Sequence, residues 1–191
     1  MGIFREYDIR GVVEKDLTPE VVYQIGRAYA TMARERGVRT VAVGRDGRLT
    51  SPSIRDSLIA GLTDSGTQVL DIGICATPLL YFSLFQLPVD GGIMITGSHN
   101  AAEYNGFKLC IGKEALHGPE IQKLKEIFDK KEFSSGDASV ELLPIIPAYR
   151  QFLQDNFRMY PQKTGSGSSL IVGMGRPLSS RRMSLNNWDV R

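Results

Sequence analysis

Apolar residues recur at two periods along the first part of the chain, and the two periods alternate. After Thr18-Pro19-Glu20, which supplies an N-cap hydroxyl, a proline at the first helical position and an acid in the first turn, Val21, Val22, Ile25, Tyr29 and Met32 recur at helical spacing. Gly37 marks a stop. Thr40-Val41-Ala42-Val43-Gly44 is a compact apolar run bounded by charges, which predicts a central strand. Ser51-Pro52 repeats the start signal, Ile54, Leu58, Ile59 and Leu62 form the helix stripe, and Gly66 closes it. Gln68 to Gly73 predicts the next strand, and Thr77-Pro78 opens a third helix that ends before Pro88. Gly92 to Thr96 and Phe107 to Ile111 predict two more strands, and Gly118-Pro119-Glu120 opens a helix carrying Ile121, Leu124, Ile127 and Phe128. A last helix is expected from about Ile145 to about Phe157.

Helix and strand in close alternation predict an α/β class: a three-layer α/β/α domain with a mostly parallel mixed sheet. The connection Gly97 to Gly106 is too short for a helical crossover, so its flanking strands are expected to be antiparallel, with the loop over the sheet edge. Phe4 to Val13 is too polar for a buried strand; on its own it reads either as an exposed turn with a solvated arginine or as a recognition segment. Phe133 to Asp137 is a loop, and Gln162 to Ser169 reads as a flexible linker.

Composition narrows the class without changing it. The 191 residues are enough for one good core, or one domain and the start of another. A net charge of +2 gives no basic field that predicts nucleic acid or membrane binding. No apolar run approaches the ~20 residues that span a bilayer, and the N-terminus lacks the apolar core of a signal peptide. Cys75 and Cys110 show no metal-like pairing and read as reduced thiols of a cytoplasmic protein.

The chemistry concentrates between two predicted strands. Thr96-Gly97-Ser98-His99-Asn100 and the following Tyr104-Asn105-Gly106-Phe107-Lys108 hold a hydroxyl, an imidazole, carboxamides and an amine, far more than a turn requires. Ser98 is a nucleophile candidate that needs a base or a metal. His99 is adjacent in sequence, so the two side chains need not face each other, and no Gly-x-Ser-x-Gly elbow is present. Backbone amides near Gly97 and Asn100 are candidates to bind an anion. With Arg10, Arg45 and Lys108 as nearby cations, the set points to phosphoryl transfer, in which positioning and charge neutralisation supply most of the catalysis. Taken singly, each residue also fits a bland reading: His99 as loop decoration, and Gly44-Arg45-Asp46-Gly47-Arg48 as an Asp-Gly turn with two solvated arginines.

Three separated motifs carry a resemblance. Thr96 to Asn100 with Tyr104 to Lys108, then Tyr7-Asp8-Ile9-Arg10-Gly11, then Gly44 to Arg48 resemble motifs of the α-D-phosphohexomutases, nearest the bacterial phosphomannomutase/phosphoglucomutase branch, over about residues 3 to 160. The resemblance implies the first domain of that fold at residues 1–160. It implies that Ser98 carries a phosphate, donates it to a hexose 1- or 6-phosphate of mannose or glucose, and recovers the other phosphate from a hexose 1,6-bisphosphate intermediate. Mg²⁺ would be held partly by the Ser98 phosphate. Lys108 is implied as a general acid/base with His99 and Asn100 in support, Tyr7 and Arg10 as lining groups, and Arg45 as a weaker binding candidate with a structural role as its alternative. A soluble, cytoplasmic monomer is expected, with no nucleic acid or membrane partner. Ala101 stands where the family often has Pro; the change removes no reacting group.

Family members have four domains. The acidic metal loop, the sugar-specificity loop and a distal phosphate loop lie in the third and fourth, and this sequence contains none of them. The expectation is therefore little or no mutase turnover, with a non-catalytic phosphosugar- or partner-binding remnant and a decayed gene product as alternatives. Residues 161–172 are expected to be a linker and the start of a second domain. From about 173 the chain loses both periodicities and is expected to be an out-of-frame or aberrant tail. Read one base earlier, Leu185 to Asp189 can become Glu-Gln-Leu-Gly-Cys, which resembles a helix-to-strand passage; the gene sequence downstream of Val172 tests this.

Overall fold

The structure, a computed structural model, describes residues 2–157. The linker at 161–172 and the tail from 173 lie outside the described residues. The elements in order are β1 (Ile9–Val12), α1 (Pro19–Glu35), β2 (Thr40–Arg45), α2 (Ser51–Thr63), β3 (Gln68–Ile74), α3 (Thr77–Gln86), β4 (Gly91–Ile95), β5 (Tyr104–Ile111), β6 (Glu114–Ala115), α4 (Pro119–Lys130), β7 (Val140–Leu142) and α5 (Ile146–Phe157).

One mixed sheet carries all seven strands in the order β1-β5-β4-β2-β3-β7, with β6 paired to β5. β2 is parallel to β3 and β4, and β3 is parallel to β7. β5 is antiparallel to β4, as the short connection requires, and β1 is antiparallel to β5. The sheet is a mostly parallel α/β/α sandwich. Alternation along the strands divides its side chains between two cores. Val41, Val43, Ile93, Ile95, Phe107 and Leu109 pack with α1, α2 and α4. Ala42, Ile72, Met94 and Cys110 pack with α3 on the other face. At a coefficient of about 25 cal/mol per Å² of apolar surface, removing these side chains from water is the main favourable term of the fold.

Local signals explain most boundaries. Thr18 caps α1, its Oγ1 accepting from the Val21 amide at 3.3 Å. Gly37 and Gly66 adopt positive φ just beyond the ends of α1 and α2. One start signal resolves differently from expectation. At α2 the N-cap is Thr50, without a side-chain cap bond. Ser51 is the first helical residue, and its hydroxyl instead donates to Asp46 at 2.6 Å. At α3 Thr77 opens the helix as expected, after Ala76 at the N-cap.

Three further expectations are corrected. The segment judged too polar for a buried strand contains β1. It is an edge strand, so only one of its faces needs to be apolar, and Ile9 is fully buried there. β5 begins at Tyr104 rather than Phe107 and is flanked by β1. The connecting loop therefore spans only 96–103 and lies over strand ends inside the sheet, not over its edge. The short strands β6 and β7 carry no readable pattern; all five of their residues are exposed.

Candidate active site

β2 and β4 run parallel, so their carboxyl ends open on the same side of the sheet. In open α/β sheets this is where ligands bind. The loop after β4 carries Ser98 and His99, both exposed. β5 returns antiparallel, and β1 lies beside it with Arg10 opposite Gly106.

Ser98 sits at φ +53°, a left-handed conformation uncommon for a residue with a side chain. Such strain persists only where surrounding contacts enforce it. Here the Ser98 amide donates to Thr96 Oγ1 at 2.9 Å, and the Asn100 amide donates to the Gly97 carbonyl at 3.0 Å. Ser98 Oγ lies 3.1 Å from His99 Nδ1. Adjacent residues need not face each other, and in this turn they do. With the proton on Nε2, His99 accepts from the hydroxyl.

Three charged groups stand on one face of the neighbouring strands. Lys108 alternates with Phe107 and Leu109 and so points away from the α1/α2 core. Its Nζ lies 3.9 Å from Asp8 Oδ2. Arg10 donates to the same carboxylate oxygen at 2.5 Å through Nη2, and to Asn100 Oδ1 at 2.5 Å through Nη1. Its Nε is buried without a partner among the described residues. Asp8 thus holds two cations, and Arg10 ties β1 to the Ser98 loop. Gly106 makes this possible, because a Cβ there would lie 2.2 Å from the Ile9 carbonyl oxygen. Tyr7 is 70% exposed and is not part of the cluster; its ring stands 6.5 Å from that of His117.

Ser98, His99, Asn100, Arg10 and Lys108 are therefore neighbours. Arg45 is not joined to them: it ends β2, and its guanidinium has no hydrogen-bond partner among the described residues. The arginine that reaches the loop is Arg48. Its Nη1 donates to the Ala101 and Tyr104 carbonyls at 2.7 and 3.1 Å, and its Nη2 to the Asn100 and Ser98 carbonyls at 2.7 and 3.2 Å. Asp46 Oδ2 stands 3.3 Å from Arg48 Nε and accepts from the Gly97 amide at 3.2 Å. Asp8, Asp46 and Arg48 all lie inside motifs visible in the sequence. Only their charge marked them there, and charge does not say which of two arginines turns inward.

The expected Mg²⁺ can be tested against these donors. A hard cation takes six or more oxygens, with carboxylates prominent. Among the described residues no group of three or more His, Cys, Asp or Glu side chains is placed to hold a metal. Asp8 and Asp46 are committed to arginines. Ser98 supplies one oxygen and does not constitute a site, so these residues alone do not fit the ion. Nor is any described helix long and apolar enough to cross a membrane.

Residues 1–135 match the family model for the phosphoglucomutase/phosphomannomutase alpha/beta/alpha domain I. The chain is 47% identical over 158 residues to a phosphomannomutase/phosphoglucomutase of Pseudomonas aeruginosa, covering 83% of this chain and 34% of that protein. It is 44% identical over 159 residues to a phosphoglucomutase of Neisseria gonorrhoeae, covering 82% and 35%. A solved phosphoglucomutase/phosphomannomutase family protein from Burkholderia thailandensis superposes with a TM-score of 0.77 at 37% identity, over 81% of this chain and 35% of that one. The chain thus spans about a third of the length of these relatives.

Proposed function

The chain belongs to the phosphoglucomutase/phosphomannomutase family, and from that premise we propose that its α/β unit, residues 1–160, carries the nucleophile half of a hexose-phosphate mutase site. The observation that carries this reading is the exposed Ser98 hydroxyl, held in a strained turn beside His99 and near the Arg10–Asp8–Lys108 cluster. The relatives' names point to phosphomannose and phosphoglucose, and hence to hexose phosphates and hexose 1,6-bisphosphate as ligands.

The transfer balances as follows. Ser98 Oγ forms a bond to phosphorus as the bond from phosphorus to the sugar oxygen breaks. The hydroxyl proton passes to His99 Nδ1, and the Lys108 ammonium protonates the departing sugar oxygen. Arg10 neutralises charge on the phosphoryl oxygens, and Asn100 holds Arg10 against the loop. Return of the phosphoryl group to the sugar's other hydroxyl reverses these proton movements. Tyr7 and Arg45, which make no hydrogen bond to the Ser98 loop among the described residues, are assigned to contacts with the bound sugar phosphate. We place the protein in the cytoplasm as a monomer, a reading consistent with two buried, unpaired thiols.

The donors described above do not hold Mg²⁺, so full turnover is expected to be slight although Ser98 can still accept a phosphoryl group. Incubation with glucose 1,6-bisphosphate and Mg²⁺ followed by intact mass measurement is expected to show one added phosphoryl group, absent in Ser98→Ala. A chain that gains none refutes the nucleophile assignment. Conversion of mannose 1-phosphate to mannose 6-phosphate at a full-length relative's rate refutes the expectation of slight turnover.

A further inference from the structure

The peptide planes of the 98–103 turn are oriented by one side chain. Arg48 takes the carbonyl oxygens of Ser98, Asn100 and Ala101, with Tyr104 as a fourth acceptor. Across a trans peptide the carbonyl and the following N–H point in opposite directions, and no described peptide is cis. Drawing those three carbonyls toward the guanidinium therefore turns the amides of His99, Ala101 and Ala102 away from it. None of these three amides has a hydrogen-bond partner among the described residues, whereas those of Gly97, Ser98, Asn100 and Tyr104 do. Gly97 is shaped to this arrangement: a Cβ there would lie 2.4 Å from Arg48 Cζ. The guanidinium thus fills the space beneath the turn. A planar fork with several fixed donors suits four carbonyls, and a lysine ammonium does not.

We propose that Arg48 is a positioning residue for phosphoryl transfer, holding the Ser98 turn so that the free amides of His99, Ala101 and Ala102 receive the oxygens of the phosphoryl group. This rests on the reading of Ser98 as the phosphoryl acceptor. Arg48 never touches the substrate. It sets the direction of backbone dipoles that do, and Asp46 holds it in place through Nε while bonding the Gly97 amide. Successive outward N–H groups form an anion-binding concavity. Donors fixed before the reaction lose no energy to reorientation when the charge arrives.

The test uses the full chain, ¹⁵N-labelled and titrated with inorganic phosphate, in wild type, Arg48→Lys, Arg48→Met and Gly97→Ala. In wild type the His99, Ala101 and Ala102 amide resonances are expected to move together. In all three variants that concerted response is expected to be lost, while the Thr96 amide, paired with Gly106, keeps its position and reports an intact sheet. Gly97→Ala crowds both the guanidinium and the Tyr104 carbonyl oxygen without removing Arg48, so the argument does not depend on the folding of an Arg48 variant. A full response in Arg48→Lys overturns the proposal, because charge without the fork would suffice; so does a wild type in which these amides ignore phosphate. Phosphoryl gain from glucose 1,6-bisphosphate separates the two readings. A wild type that gains none but shows Arg48-dependent shifts refutes the nucleophile assignment alone. A wild type that gains phosphate at the same rate as the variants refutes the positioning role alone. The expected slowing is on the order of 100-fold, the cost of displacing reacting groups by about 1 Å.

Discussion

Gly106→Ala is the sharpest single perturbation of this architecture. A Cβ at Gly106 would lie 2.2 Å from the Ile9 oxygen, 3.1 Å from Arg10 Cα and 3.2 Å from the Ile9 carbonyl carbon, all of them backbone atoms that cannot rotate aside. Carbon–oxygen contacts in sheets settle at about 3.3 Å or more, so β1 must withdraw by about 1 Å. Ladder bonds of about 2.9 Å would then stretch beyond hydrogen-bonding range. Losing one or two of them at about 1 kcal/mol each, with about 1–3 kcal/mol of overpacking, gives roughly 2–5 kcal/mol. With a urea dependence of about 2 kcal/mol per molar, the midpoint should fall by about 1–2.5 M. The same withdrawal carries Arg10 off Asn100 and Asp8 off Lys108. Phosphoryl gain at Ser98 should therefore slow on the order of 100-fold. Urea unfolding followed by circular dichroism measures the first effect and intact mass against time the second. Gly2→Ala, where an added Cβ meets nothing within 4 Å, is the control. If Gly106→Ala unfolds within about 0.5 kcal/mol of wild type, the scale of an ordinary surface substitution, the close approach of β1 to β5 is not as described.

Two other regions give independent expectations. Arg55 reaches from α2 to Asp71 on β3 through Nε at 2.9 Å and Nη2 at 2.6 Å, and Asp71's other oxygen accepts from the Gly73 amide. Arg55→Met leaves that buried carboxylate without its cation and should cost about 1–3 kcal/mol; the double variant with Asp71→Asn should recover part of it, and urea midpoints that show no recovery count against the pairing. Burial pushes the Cys75 thiol up to about 12 and the Cys110 thiol up to about 11. An unfolded thiol loses its proton near ~8.5, so above that pH the folded chain binds more protons and stability falls as pH rises, by up to about 1.4 kcal/mol per unit for each thiol. The loss begins near the unfolded value and is complete at the folded ones. Replacing both cysteines with alanine should flatten the decline measured between about pH 8 and about pH 10, and an unchanged slope would contradict the burial of the thiols.

The sequence by itself determined the helices and inner strands, because their signals are local. Val22, Ile25, Tyr29 and Met32 share a helical face whatever surrounds them, and Thr18 caps its helix through a bond three residues away. The shortness of the loop between Ile95 and Tyr104 was enough to make β4 and β5 antiparallel, since no crossover fits that span. The reacting groups Ser98, His99 and Lys108 were legible because they crowd one turn and the strand that follows it.

Tertiary structure decided the partners. β1 is a strand only because β5 offers an edge, so its four residues carry too little apolar pattern to announce themselves. β7 holds its place in the sheet through backbone pairing with β3, which side-chain patterns do not encode. The sequence placed Arg45 and Arg48 on equal terms. The fold turns Arg48 under a loop more than 50 residues away, and brings Arg10 to Asn100 across 90 residues, with Asp8 shared between Arg10 and Lys108. Such choices depend on which strand lies beside which, and on where a missing Cβ at Gly97 or Gly106 leaves room for a guanidinium or a backbone. Periodicity along the chain carries information about a residue's own element; distances between elements exist only once the core has packed.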